Sequence, residues 1–255
     1  MQLTSSSSIV LTAPISGLDP AVIAVGFESN GQQGNFTPGQ VPSLTSSNNF
    51  INFCLTVPDK PITNGLQIAT GSCNPAPQGV LAGVANMPSS KFIHPTNFGA
   101  IQANTTFEIS MAIKHLQTGF FVNPDTNYSA APQQVNDDGD IIGHTHFVVQ
   151  QLDSFTSTAA LDPNVFAFFK GINTAADENG IVAVNLTGGL PEGIYKVSSV
   201  NAGANHMPVL VNVEQHGTLD DQVYVSCRPL TSVFPTKLPF IIQFEVTANG
   251  QPSRK

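Results

Sequence analysis

Five Asn-Gly or Asp-Gly pairs punctuate the chain, at Asn30-Gly31, Asn64-Gly65, Asp138-Gly139, Asn179-Gly180 and Asn249-Gly250. Such pairs tolerate the positive φ that tight hairpin turns require. Between them run short segments rich in β-branched and aromatic residues. Strands are predicted over Ser8–Thr12, Val22–Phe27, Ile51–Val57, Thr106–Ile113, His144–Leu152, Val165–Phe169, Ile181–Asn185, Ile194–Val200, Val209–Glu214, Gln222–Cys227 and Phe240–Val246. Strands of this length at this spacing predict an all-β fold, an antiparallel β-sandwich of Ig-like or jelly-roll-like type.

Helical patterning is nearly absent. The segment 106–116 has helical length, but Phe107, Ile109, Met111 and Ile113 alternate with the period of two that marks a strand. Nineteen prolines oppose long helices. Residues 1–48 are richer in Ser, Gly, Gln and Pro and hold two weak strands, so they read as an N-terminal arm or edge element. Residues 49–255 then form one sandwich domain, because no repeat and no linker divides them. Hydrophobic residues make up 41% of the 255, including 17 Phe, which suffices for a sizeable core.

Charge excludes several partners. Only 10% of residues are charged and the formal net charge is −8, with nine Lys and Arg scattered along the chain. No basic stripe exists to neutralise phosphates, so nucleic acid and an anionic membrane surface are poor partners. No apolar run reaches the roughly 20 residues that span a bilayer. The surface must be covered mostly by Ser, Thr, Asn, Gln and Gly, a balance common in secreted proteins. Residues 1–26 lack a basic start, and Pro14, Asp19 and Pro20 break their apolar stretch, so they do not read as a signal peptide. The expected localisation is extracellular, with the export signal outside this sequence. A cytosolic location is the alternative.

Cys54 and Cys73 lie 19 residues apart in turn-rich surroundings, a spacing that permits a disulfide. Spacing alone does not fix connectivity, and three free core cysteines are the alternative. Cys227 reads as a buried strand thiol. Glycosylation sequons stand at Asn35, Asn104, Asn127 and Asn185, as several would by chance in a chain so rich in Asn, Ser and Thr.

The segment Gly143-His144-Thr145-His146 carries the clearest chemical signal. On a strand, His144 and His146 project from the same face, about 7 Å apart or slightly less. That spacing lets two imidazoles share one metal ion. A third ligand must come from another strand. His206, after a predicted hairpin around Pro191-Glu192-Gly193, is the first candidate, and His216, beside Glu214, the second. Such a set suits Zn or Cu. The competing reading is that the pair caps a strand end and bonds backbone carbonyls.

Other motifs are weaker. Asn136-Asp137-Asp138-Gly139-Asp140 lacks the ligand spacing of a calcium loop, and turn chemistry explains it better. Hydrolase and phosphate-loop signatures are missing. Glu108, Glu192, Glu214 and Glu245 offer carboxylates, but nothing in the sequence pairs two of them. The chain has no Trp, which lowers the odds of a sugar-stacking platform. The Phe-rich segment 165–169 is expected to be core strand.

Around the histidines the chain resembles the first cupin motif, in which H-x-H is followed by Glu, then P-x-G and another His. Here Gln150 and Gln151 stand at the Glu position and Lys196 at the final His position. Several other segments together resemble an uncharacterised family of small secreted proteins from basidiomycete fungi. They are Asn52-Phe53-Cys54-Leu55-Thr56, residues 71–77 and 86–92, Ala131-Pro132-Gln133-Gln134, the G-H-T-H segment, residues 164–171 and residues 216–221. The resemblance implies secretion and β structure and brings no activity or site residues.

The leading expectation is a secreted, non-enzymatic β-sandwich protein with a structural, cell-wall or recognition role. Its partners would be a wall glycan or a second copy of itself. The alternative is a histidine-dependent metal-binding protein or metalloenzyme built on His144, His146 and His206.

Overall fold

The computed structural model describes residues 17–30 and 44–229, except 71, 126 and 130, together with 245–246 and 252–253. In chain order the strands are β1 (Ser89–His94), β2 (Ala100–Gln102), β3 (Phe107–Lys114), β4 (Leu116–Gln117), β5 (Ile141–Leu152), β6 (Phe168–Ile172), β7 (Ile181–Leu186), β8 (Gly193–Gly203), β9 (Gln222–Arg228), β10 (Glu245–Val246) and β11 (Pro252–Ser253). The fold is all-β and sandwich-like. Among the described residues the helical segments are short 3₁₀ turns, and no helix is long and apolar enough to cross a membrane.

One sheet has the order β1-β3-β7 and is antiparallel. The larger sheet has the order β2-β9-β8-β5-β4, and β6 also pairs with β5 farther along that strand. Its long pairings are antiparallel, while β2 with β9 and β4 with β5 are short parallel contacts. The inner faces follow the period of two. Ile109, Met111 and Ile113 of β3 alternate inward, as do Ile141, Phe147 and Val149 of β5 and Tyr195 and Val197 of β8. Phe92 of β1 meets Phe147 of β5 with ring centroids 5.3 Å apart, which joins the two sheets. Burying each such ring contributes about 1.5–3 kcal/mol.

This parity decides where the histidines go. With Ile141, Gly143, Thr145, Phe147 and Val149 turned to the core, His144 and His146 must lie on the outer face of the larger sheet. Gly143 is required at the start of β5 because the backbones of β5 and β8 approach so closely that a Cβ there would collide with the Ala202 carbonyl oxygen.

Several expected strands differ. Residues 22–27 form 3₁₀ turns (Pro20–Val22 and Val25–Glu28), the first capped by Asp19. Residues 51–57 contain the 3₁₀ turn Phe53–Thr56, entered through Asn49 and Phe50 at positive φ. Most of their apolar residues are exposed and find no sheet partner among the described residues, and β propensity without a partner surface does not make a strand. Residues 209–214 hold only an isolated bridge, Val211 with Ala82, because the buried Gln133 side chain takes the Leu210 N–H and shares its carbonyl with the Ala82 N–H, so no longer ladder forms. The Phe-rich strand begins three residues later than expected and is not core throughout, for Phe166 and Phe169 are each about half exposed. The predicted strand 8–12 lies outside the described residues, as does most of 240–246.

Candidate metal centre

Three imidazoles converge on the outer face of the larger sheet. His144 and His146 come from β5, and His206 from the turn that follows β8. One ligand nitrogen from each lies within 4.8 Å of the other two. The ladder supplies the floor, because His144 pairs with Ala202 and His146 with Val200 on β8, and His146 pairs with Gly171 on β6.

The turn that delivers His206 is held tightly. The Gly203 N–H donates to the Met207 carbonyl, and the His206 N–H donates to the Gly203 carbonyl, both at 2.9 Å. The buried Asn205 amide donates to the Ala131 carbonyl at 2.7 Å. Within this frame His206 sits at φ +68, a left-handed conformation that side chains other than Gly, Asn and Asp adopt at a cost. Strain of this kind persists where surrounding structure imposes it, and it gathers at functional sites.

Hydrogen bonds select the ring nitrogens. His206 Nε2–H donates to the Val122 carbonyl at 2.7 Å, leaving the Nδ1 lone pair facing inward. His146 Nδ1–H donates to the Val200 carbonyl at 3.3 Å, leaving Nε2 free. His144 Nε2 lies 3.1 Å from His206 Nδ1, and the ring centroids of His144 stand 4.7 Å from those of both neighbours. Two nitrogens bound tetrahedrally to one Zn at 2.0–2.1 Å are about 3.3 Å apart, close to this separation. Carbonyl bonds to the distal ring nitrogens are the usual device for orienting metal-binding imidazoles.

His144 is fully buried, and its Nδ1 has no hydrogen-bond partner. Burial first, and the neighbouring His146 and His206 second, lower its pKa to about 4, while the Phe120 backbone acts weakly the other way. Burial also lowers the pKa of His146, partly offset by the Val200 carbonyl. Both rings are therefore held neutral at physiological pH, the form that binds metal. The expectation that the pair merely caps a strand accounts for the Val200 bond but not for the approach of His206 Nδ1 to His144 Nε2.

A strap of residues 120–125 and 127–128 covers the triad. Phe120 N–H and Val122 N–H donate to the Gly143 and Ala204 carbonyls, and Tyr128 N–H to the Gly65 carbonyl. Phe121 lies against His144, and Tyr128 stacks on His206 at 5.8 Å and 14°. Behind the strap stands the loop closed by a Cys54–Cys73 disulfide. Asn64-Gly65 turns that loop with positive φ at both residues, and Gln67 donates to the Pro124 carbonyl. Between strap and sheet lies a cavity of about 500 Å³, and the triad forms part of its wall.

His216 does not join the cluster. It is exposed, and its Nδ1 bonds the Gly217 carbonyl. Asn104, Asn127 and Asn185 are exposed, and Asn35 lies outside the described residues. Asn136 forms the expected turn, its side chain accepting from the Asp138 and Asp140 N–H groups. Cys227 is free and buried, which raises its pKa to about 11. The orienting carbonyls of Val122 and Val200 and the aromatic strap escaped the sequence reading. Phe120-Phe121 beside Gly119 was the available signal, but backbone acceptors leave none.

A family model described as the CLU5d N-terminal domain matches residues 90–228. The "Pathogenicity cluster 5 protein d" of Colletotrichum graminicola is 41% identical over 191 residues, 74% of this chain and 39% of that protein. The chain thus spans about two fifths of the length of that curated relative. Fibronectin(III)-like modules of Clostridium thermocellum CbhA align with 59% of this chain and 49% of theirs at 11% identity. Their TM-score of 0.30 is too low to bear on fold or function. These matches correct the expected kinship, because the relative is an ascomycete pathogenicity-cluster protein, and neither a basidiomycete nor a cupin kinship is shown. The cupin likeness fails physically too, since Lys196 pairs with Gln150 inside the ladder and the third imidazole arrives from the turn after β8.

Proposed function

The chain belongs to the fungal CLU5d N-terminal domain family, and from it we propose a metal-binding β-sandwich protein in which His144, His146 and His206 hold one Zn or Cu ion. The ligand atoms are His144 Nε2, His146 Nε2 and His206 Nδ1. The convergence of these three nitrogens from two separate elements, with carbonyls fixing two of the rings, carries the reading. Three protein nitrogens leave a coordination position for an exogenous ligand, the arrangement of sites that do chemistry or capture small molecules rather than of closed structural sites. The cavity beside the triad gives that position access.

Extracellular residence is part of the proposal. The disulfide supports an oxidising compartment. Metal analysis of protein purified from its secreting host, followed by calorimetric titration of chelator-treated protein with Zn and Cu, tests the reading. One ion per chain is expected, with uptake lost in His146→Ala. Substoichiometric metal and equal titrations for both proteins would sink it.

A further inference from the structure

This step rests on the metal reading above. We infer that the cavity binds a small phenol, with its oxygen on the metal and its ring against Phe121 and Phe169. The cavity of about 500 Å³ has the size of a small-molecule site. Among the described residues lining it there is no Asp, Glu, Lys or Arg. An anionic ligand would find no Arg or Lys to pair with it, and a cationic ligand no carboxylate. The other polar side chains of the lining, Gln67, Tyr128 and Asn173, are uncharged, and the polar contact at the triad is the metal's open position.

The walls favour a flat ring. Phe121 lies against His144 with centroids 6.2 Å apart, and Phe169 against His146 at 5.2 Å. The two phenylalanines therefore flank two different ligands of the one ion. Each is about half exposed, so ring surface remains free for contact. Val200, Ala202 and Pro208 complete an apolar floor. At the mouth, Gly171 stands opposite His146, and a Cβ there would meet Asn173 Oδ1 at 3.3 Å and the edge of the His146 ring at 3.5 Å, so glycine leaves that edge of the imidazole uncovered. A neutral phenol meets each condition. It enters uncharged, stacks on aromatic side chains and loses its proton to solvent as its oxygen coordinates the ion.

The test titrates zinc-loaded full-length protein with 4-nitrophenol below the pH at which the free phenol ionises, reading the absorbance of bound phenolate. Azide, which needs only the open position, is titrated in parallel. Saturable phenolate absorbance is expected, absent in His146→Ala and about tenfold weaker in Phe121→Ala and Phe169→Ala, with azide affinity unchanged in those two variants. Both phenylalanines are half exposed, so their removal leaves the core intact, and zinc uptake by each variant checks this. If zinc and azide bind but 4-nitrophenol does not, or binds the two Phe variants as tightly as the parent, the phenol inference is overturned and the metal reading stands. If zinc does not bind, both fall.

Discussion

Acidification of the metal-free protein should expose the energetic signature of the buried triad. His144 is fully buried, and its pKa falls from 6.5 to about 4. The folded state therefore refuses a proton that the unfolded chain accepts. The resulting stability is complete above pH 6.5 and drains away as the pH falls through the folded pKa. Linkage gives a loss of about 3 kcal/mol between pH 7 and pH 4. His146, also lowered, adds to the loss in the same direction. The comparison protein is His144→Gln, whose side-chain amide can still donate toward His206 Nδ1 but does not titrate. Other titrations are shared and cancel in the difference, including that of Asp220, whose burial raises its carboxyl pKa. Urea unfolding in the presence of chelator should show a pH 7 to pH 4 loss about 3 kcal/mol larger in the parent than in the variant. Equal losses would refute the claim that His144 is held neutral by burial among its neighbours.

Three further outcomes follow from the geometry. Gly143→Ala should destabilise the domain by about 1–3 kcal/mol and weaken metal uptake, because the added Cβ meets the Ala202 carbonyl one residue from His144; an unchanged denaturation midpoint would count against it. Replacing both Cys54 and Cys73 by Ser should cost about 3 kcal/mol and speed metal release, since the loop they close supports the strap over the triad; release rates followed with a chromophoric chelator check this. His216→Ala should leave metal affinity unchanged in calorimetry, because His216 lies apart on an exposed segment.

How far the sequence reveals this molecule depends on what each residue answers to. Alternation in β3, β5 and β8 reports burial on one face, and that local signal places Ile109, Phe147 and Val197 correctly. The same parity puts His144 and His146 on one face of β5, so half of the site is readable from spacing alone. His206 was accessible as a candidate because histidines are few and it follows a predicted hairpin. Its place beside His144 depends on the β5–β8 register and on a left-handed turn, neither of which has a local signature. Residues 51–57 show the converse failure. Their composition suits a strand, but among the described residues no partner strand lies beside them, and they turn into 3₁₀ geometry at the disulfide. Edge strand β1 passed unnoticed because Phe92 is its only buried residue. Phe169 shows how composition misleads, since an aromatic run suggests core while its register against Val148 turns that ring to the cavity.

The central claim is that three imidazole nitrogens hold one ion. Crystals of the protein loaded with one equivalent of zinc, with diffraction data recorded at the zinc edge, test it most directly. A single anomalous peak is expected about 2.0–2.1 Å from His144 Nε2, His146 Nε2 and His206 Nδ1. No peak at the triad, or a peak held by other side chains, would contradict the account.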